Sequence, residues 1–97
     1  MTNRVRLRAK LVARGDLRYT PAGVAVLQAG LSHEGTVAEA GIERQLAFEL
    51  EAVAVGDLAQ RLQRLALGTE FDVDGFLAPR SQRSRSLRLH ITEFKAI

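Results

Sequence analysis

Glu70-Phe71-Asp72-Val73-Asp74-Gly75-Phe76-Leu77, Ala78-Pro79-Arg80-Ser81-Gln82-Arg83-Ser84-Arg85-Ser86 and Leu87-Arg88-Leu89-His90-Ile91-Thr92-Glu93-Phe94 form the stretch on which the fold turns. The outer blocks carry the apolar patterning of strands. The block between them is polar, with Arg80, Arg83 and Arg85 and no acid. A small-residue, basic loop fixed at both ends can wrap a polyanion. Arginine supplies fixed charge and a planar donor fork suited to phosphate oxygens. The same composition also suits a solvated hairpin tip.

Upstream of this hairpin, Gly56-Asp57-Leu58-Ala59-Gln60 reads as a helix start, with Asp57 as cap and Gln60 three residues on. Leu58, Leu62 and Leu65 recur at helical spacing, and Gly68 is placed as the C-cap of a short helix. The leucine stripe predicts contact with a sheet. Before the helix, 43–55 reads as a strand in which Leu46, Phe48 and Leu50 share a face. Its length predicts a bend near Ala52. Glu34 to Gly41 shows no periodicity and reads as a loop. Val24 to His33 is an apolar strand, preceded by the turn Thr20-Pro21-Ala22-Gly23 and the short piece Leu17-Arg18-Tyr19. At the start, Val5, Leu7, Ala9 and Leu11 alternate with Arg6, Arg8 and Lys10, giving a strand with one apolar and one cationic face. That cationic face is expected to be solvated or to meet a ligand, because unpaired buried charge is prohibitive. The first two long strands are expected to pair as a hairpin.

Strand, strand, strand, helix, strand, strand is the order of an all-β, five-stranded OB-fold Greek-key barrel with one short helix between strands three and four. This architecture binds oligonucleotides on one face, and the loops joining strands one–two and four–five form its lips. Here those loops are Arg14–Gly23 and Ala78–Ser86, both basic. The length of 97 residues predicts one domain over 1–97.

Charge distribution says more than the formal net charge of +3. Up to Arg18 the chain carries Arg4, Arg6, Arg8, Lys10, Arg14 and Arg18 against Asp16. From Ala78 it carries Arg80, Arg83, Arg85, Arg88 and Lys95 against Glu93. The middle holds most of the acids. Basic ends and an acidic middle predict one positive and one negative face, oriented toward an anionic partner. Absence of cysteine excludes disulfides and thiolate metal sites. His33 and His90 lie far apart without a ligand cluster, so no metal and no cofactor are expected. No apolar run approaches the ~20 residues that span a bilayer, and Met1-Thr2-Asn3-Arg4 leads straight into alternation, so a cytoplasmic protein is the expectation. No nucleophile motif, phosphate-cradling glycine loop or carboxylate constellation appears, so an enzyme is not expected.

The candidate nucleic-acid contacts fall into groups. Arg80, Arg83 and Arg85 lead, with Arg88 at the loop's exit. Arg6, Arg8 and Lys10 either track phosphates or keep an exposed strand soluble. Arg18 beside Tyr19 sets a charge next to a ring that either stacks or packs on the barrel rim. Arg44 either contacts phosphate or pairs with a neighbouring glutamate. Phe48, Phe71 and Phe76 are expected in the core as strand aromatics, with Phe48 and Tyr19 also open as base-stacking residues.

Several segments resemble the primosomal replication protein N family of bacterial replication-restart proteins. They are Thr2-Asn3-Arg4, Leu17-Arg18 followed by Pro21 and Gly23, His33, Glu39-Ala40-Gly41, Arg44-Gln45, Gly75-Phe76 and Leu89-His90. The resemblance covers nearly the whole chain in order. It implies an OB-fold homodimer that binds single-stranded DNA without strong sequence preference. It further implies docking to the restart helicase (primosomal protein N′) at stalled forks near the nucleoid, handover to a further primosome component, and no catalytic activity. Enterobacterial members carry aromatics at the positions of Ile42 and Ala47, and here neither is aromatic. The final loop is also shorter here, with arginines in place of lysines. A protein–protein adaptor for the helicase and an RNA-binding OB module remain as alternatives.

Overall fold

The first strand closes the whole barrel. The computed structural model describes residues 1–97. β1 (Val5–Arg14) is followed by β2 (Arg18–Tyr19), β3 (Ala25–Glu39), β4 (Ile42–Val55), α1 (Asp57–Gln63), β5 (Glu70–Pro79) and β6 (Leu87–Ala96). The first half of β1 pairs antiparallel with β5, from Val5↔Gly75 to Lys10↔Glu70. Its second half pairs with β3, from Lys10↔Ser32 to Arg14↔Ala29, through a bulge between Leu11 and Ala13. The extra residue, Val12, bends the strand from one partner to the other, which is what bulges do at barrel corners. The strand order β1-β5-β6-β4-β3 with the return pairing β1–β3 is a closed five-stranded barrel, the OB-fold. β2 is a two-residue extension that pairs with the start of β3.

The period-two pattern of β1 is realised as read: Ala9 and Leu11 are buried while Arg6, Arg8 and Lys10 are exposed. Leu27, Leu31, Leu62, Phe71, Val73 and Leu89 are, with Leu11, the largest enclosed side chains of the interior. β6 departs from strict alternation. Between Asp74↔Glu93 and Gly75↔Ile91 the register slips, so Thr92 has no partner and its hydroxyl donates to the Asp74 carbonyl at 3.2 Å. The slip turns both Ile91 and Phe94 inward, and Phe94 meets Phe71 edge-to-face at 5.7 Å.

Helix α1 covers one end of the barrel with Ala59 and Leu62 buried and Leu58 and Leu65 against the core, as the leucine spacing requires. Its start differs from the reading of a side-chain cap. Gly56 is the N-cap residue at φ 76°, no side chain caps the helix, and Asp57 is its first residue. Gly68 is not its C-cap either. The helix ends at Gln63 with Arg64 as cap, and Gly68 stands further on at φ 91°, donating its N–H to the Leu11 carbonyl at 2.7 Å.

Glu34–Gly41 is not a loop. β3 continues to Glu39, and β4 starts at Ile42 as its direct partner. Ala40 and Gly41, both at positive φ, make the two-residue turn typical of tight hairpins. Beyond Ser32 and Leu50 this ribbon projects out of the barrel, in a molecule 50 Å long and 21 Å thin. A projecting ribbon has no core face, which is why its sequence lacks alternation. β4 pairs with β3 through Ala52 without a register shift.

Gly75 is the tightest point of the sheet, because a Cβ there would overlap the backbone carbonyl of His90. Gly75→Ala should destabilise the fold by roughly 1–3 kcal/mol, the scale of overpacking. A urea titration should show a lower midpoint at unchanged slope.

Candidate nucleic-acid interface

Five arginines are held by an acid, and for the two on β1 the strand register decides it. Arg6 and Arg8 stand directly opposite Asp74 and Asp72 on β5. Their Nε atoms donate to these carboxylates at 2.8 and 3.0 Å. The cationic face of β1 is therefore solvated, as expected, and also laced to an acidic face of equal period. The hydrogen bond from Arg8 holds the Asp72 carboxyl below its usual range, and the Arg8 guanidinium is raised in turn by the same bond. Both pairs are exposed and add little stability. Their consequence is local neutralisation. Lys10 faces Glu70 and lines a cavity of about 220 Å³ with Glu34, a mixed-sign site ill suited to a polyanion.

Arg44 pairs with Glu39 across the ribbon tip at 2.6 Å. Phe48 is not a core residue: it is 42% exposed and lies 5.2 Å from the His33 ring on the projecting ribbon. Arg18 and Tyr19 sit at the barrel rim on β2, and Tyr19 is 60% exposed rather than packed.

The Ala78–Ser86 loop is a folded hairpin end. Arg80 N–H donates to the Ser86 carbonyl at 3.0 Å, Ser84 N–H to Ser81 at 3.1 Å, and Ser86 N–H to the Ser84 hydroxyl at 3.0 Å. Arg80 leans back onto Glu51 of β4 at 3.1 Å. Arg83 and Arg85 are exposed and in no ion pair. Arg88 is half-buried, also outside every ion pair, and its Nε lacks a hydrogen-bond partner. The end of β1 and the start of the arginine loop meet in a cleft of about 400 Å³ lined by Ala13, Gly15, Gly30, Glu51 and Arg80. Arg14 also lines this cleft, and its guanidinium donates to the Leu65 carbonyl beyond α1.

The floor between these lips is not basic. Gly30↔Glu51 and Ser32↔Glu49 place both glutamates on the outward face of β3–β4. The unpaired cations of this region are on the arginine loop and at Arg88 where it enters β6, and further along, the same outward face of β5–β6 carries Asp72, Asp74 and Glu93. Phe76 belongs to that face. It is 38% exposed instead of buried, and its ring stacks on His90 at 4.9 Å with 13° between planes. The cross-strand pair Phe76↔His90 escaped the sequence reading, although the outward parity of Phe76 between buried Gly75 and half-buried Leu77 is the signal that marks it. No His/Cys/Asp/Glu cluster suited to a metal is present, and no helix is long and apolar enough to cross a membrane.

Residues 3–93 match the model of a family described as another single-strand binding protein family. The chain is 42% identical over 95 residues to the replication restart protein PriB of Bordetella pertussis, covering 98% of this chain and 89% of that one. Among solved structures it is similar to PriB from Ralstonia solanacearum, with a TM-score of 0.90 and 39% identity over the full length of both chains. It is also similar to the single-stranded DNA binding protein from Thermus aquaticus, with a TM-score of 0.78 and 26% identity over 99% of this chain and 50% of that one.

Two titrations should mark stability. Burial and then the Arg88 charge push the His90 pKa below its ordinary value of 6.5. The unfolded chain therefore takes up that proton first. Stability is fully present above about pH 6.5 and declines as pH falls below it. His90→Gln should flatten this part of a urea-midpoint profile. The carboxylates of Asp72, held down by Arg8, and of Glu93, held down by the Phe94 N–H and then by Arg61, act lower. Their contribution is present above about pH 4 and is lost below it.

Proposed function

The chain belongs to the single-strand binding protein family as one of its PriB replication restart proteins, and on that premise we propose that it binds single-stranded DNA at the replication-restart primosome, assisting the restart helicase and a further primosome component. The observation that carries this reading is the arginine loop. Arg83 and Arg85 are free of acids and presented on a hydrogen-bonded hairpin end, whereas Arg6, Arg8, Arg44, Arg61 and Arg80 are each held by a carboxylate. Free guanidinium groups on a fixed scaffold gain from phosphate contact and counterion release without first breaking a pair. Arg18 and Tyr19 at the rim supply a second cation and an exposed ring for stacking.

A homodimer fits the same frame. From Val5 to Ala9, β1 has β5 on one edge and no strand on the other, where the Arg8 carbonyl meets His33 Nδ1 at 2.7 Å. An open strand edge of this kind accepts a second chain by strand addition. Two copies then present two arginine loops to one DNA strand, raising avidity.

Glu49 and Glu51 favour a second reading, in which the outward face of β3–β4 receives a basic segment of the helicase and DNA contact is subordinate. Exposed Ile42 and Ala47, where the family's enterobacterial members carry aromatics, point the same way.

Fluorescence anisotropy with a single-stranded oligonucleotide across a salt series separates the two. Arg83→Ala with Arg85→Ala should make the log K against log salt slope shallower by about 1.4, from roughly 0.7 per lost phosphate contact. An unchanged slope would contradict DNA binding through this loop. Glu49→Gln with Glu51→Gln should tighten binding several-fold, because it removes like-charge repulsion near the arginine loop and releases Arg80 from Glu51. Loss of helicase stimulation by that pair, with DNA affinity unaltered, would favour the adaptor.

A further inference from the structure

The outward face of β5–β6 carries an arrangement that neither the core nor the ion-pair network uses. Gly75 brings β5 against the His90 backbone so closely that no side chain fits between them. That approach sets Phe76 and His90 as a direct cross-strand pair with nearly parallel rings. Arg88 lies two residues before His90 on the same face of β6, opposite Ala78, where the arginine loop departs. Burial, and then the Arg88 charge, disfavours protonation of His90. Phe76 keeps 38% of its surface in solvent beside an arginine that no acid holds and whose Nε no protein group accepts.

We propose that Phe76, backed by His90 and flanked by Arg88, is a base-stacking site that takes one nucleotide of the single strand as it leaves the arginine loop. This inference rests on the single-stranded-DNA reading and adds a place and a chemistry to it. A ring fixed from behind by a second ring loses little freedom when a base stacks on its open side, and stacking accepts any base because each has a π-face. Arg88 can turn its guanidinium to the phosphate of the same nucleotide, giving its unpartnered donor an acceptor. The site stands in for the aromatics missing at Ile42 and Ala47, but on the other side of the arginine loop. It seats the nucleotide at the loop end of β5–β6, between Phe76 and Arg88 and short of Asp74 and Glu93 further along the same face. Charge complementarity selects the occupant: an apolar platform beside free arginines suits a polyanion with aromatic bases.

The test compares two oligonucleotides of equal length and charge, oligodeoxythymidine and an abasic strand, by anisotropy. The intact protein should prefer the base-bearing strand, and Phe76→Leu should reduce that preference by about ten-fold. Arg83→Ala with Arg85→Ala should weaken both ligands together and leave the preference in place. Arg88→Gln should make the salt slope shallower by about 0.7 for both strands. Equal binding of the two strands by the intact protein, or an unaltered preference in folded Phe76→Leu, would overturn the stacking site while leaving DNA binding intact. Absence of binding to either strand would sink both readings. Should Phe76→Leu fail to fold, the Phe76 ring protons of the intact protein give the answer. An upfield shift on adding oligodeoxythymidine, and none with the abasic strand, supports the site, and no shift with either overturns it.

Discussion

Everything in this molecule depends on one strand having two partners. β1 joins β5 along its first half and β3 along its second, and the bulge at Val12 makes the change of partner possible. Without it the sheet has two open edges and Leu11, Ala9, Phe71 and Leu31 face water. With it the barrel is closed and those residues form one core. The same closure fixes where charge goes. Because β1 lies beside β5, every outward cation from Arg6 to Lys10 stands opposite Asp74, Asp72 or Glu70. Topology, more than composition, therefore decides which arginines are available to a ligand.

This bears on how a mildly basic chain handles a polyanion. Basic ends and an acidic middle suggest one positive and one negative face, but folding interleaves them. Arg6 and Arg8 meet aspartates, Arg61 meets Glu93 and lies over Phe94 at 4.8 Å, and Arg80 meets Glu51. Of the cations outside every ion pair, three, Arg83, Arg85 and Arg88, gather around one hairpin, while others such as Arg4, Arg18 and Arg64 lie apart from it in the chain. A localised set of cations on a fixed hairpin directs a strand along one path, whereas a diffuse face gives only attraction.

The legible parts of the sequence were those in which periodicity meets a buried face. Alternation in β1 and β5 and the leucine spacing of α1 each record contact with the core, and the element order was enough for the OB-fold. Glu34–Gly41 was illegible as strand because a projecting ribbon buries neither face, so nothing selects for alternation there. The Asp57 cap failed because Gly56 already makes the turn into the helix by its positive φ. Phe48 and Phe76 look like core aromatics in composition, yet parity sends them outward. Phe94 is turned inward by the slip at Thr92. Long-range register, which single-strand patterning does not encode, separates these cases. The ion pairs of β1 were hidden for the same reason: Arg6 and Asp74 are distant in sequence and adjacent only once the barrel closes.

The central claim is that barrel closure neutralises the β1 arginines and leaves the hairpin set as the working surface. The most direct test is an Nε–Hε spectrum of the arginine side chains, recorded while a single-stranded oligonucleotide is added. The signals of Arg83, Arg85 and Arg88 should move together with saturation, while those of Arg6 and Arg8 stay with their aspartates. Movement of Arg6 and Arg8 first, with the hairpin arginines still, would show that the strand runs along β1 and would contradict the account.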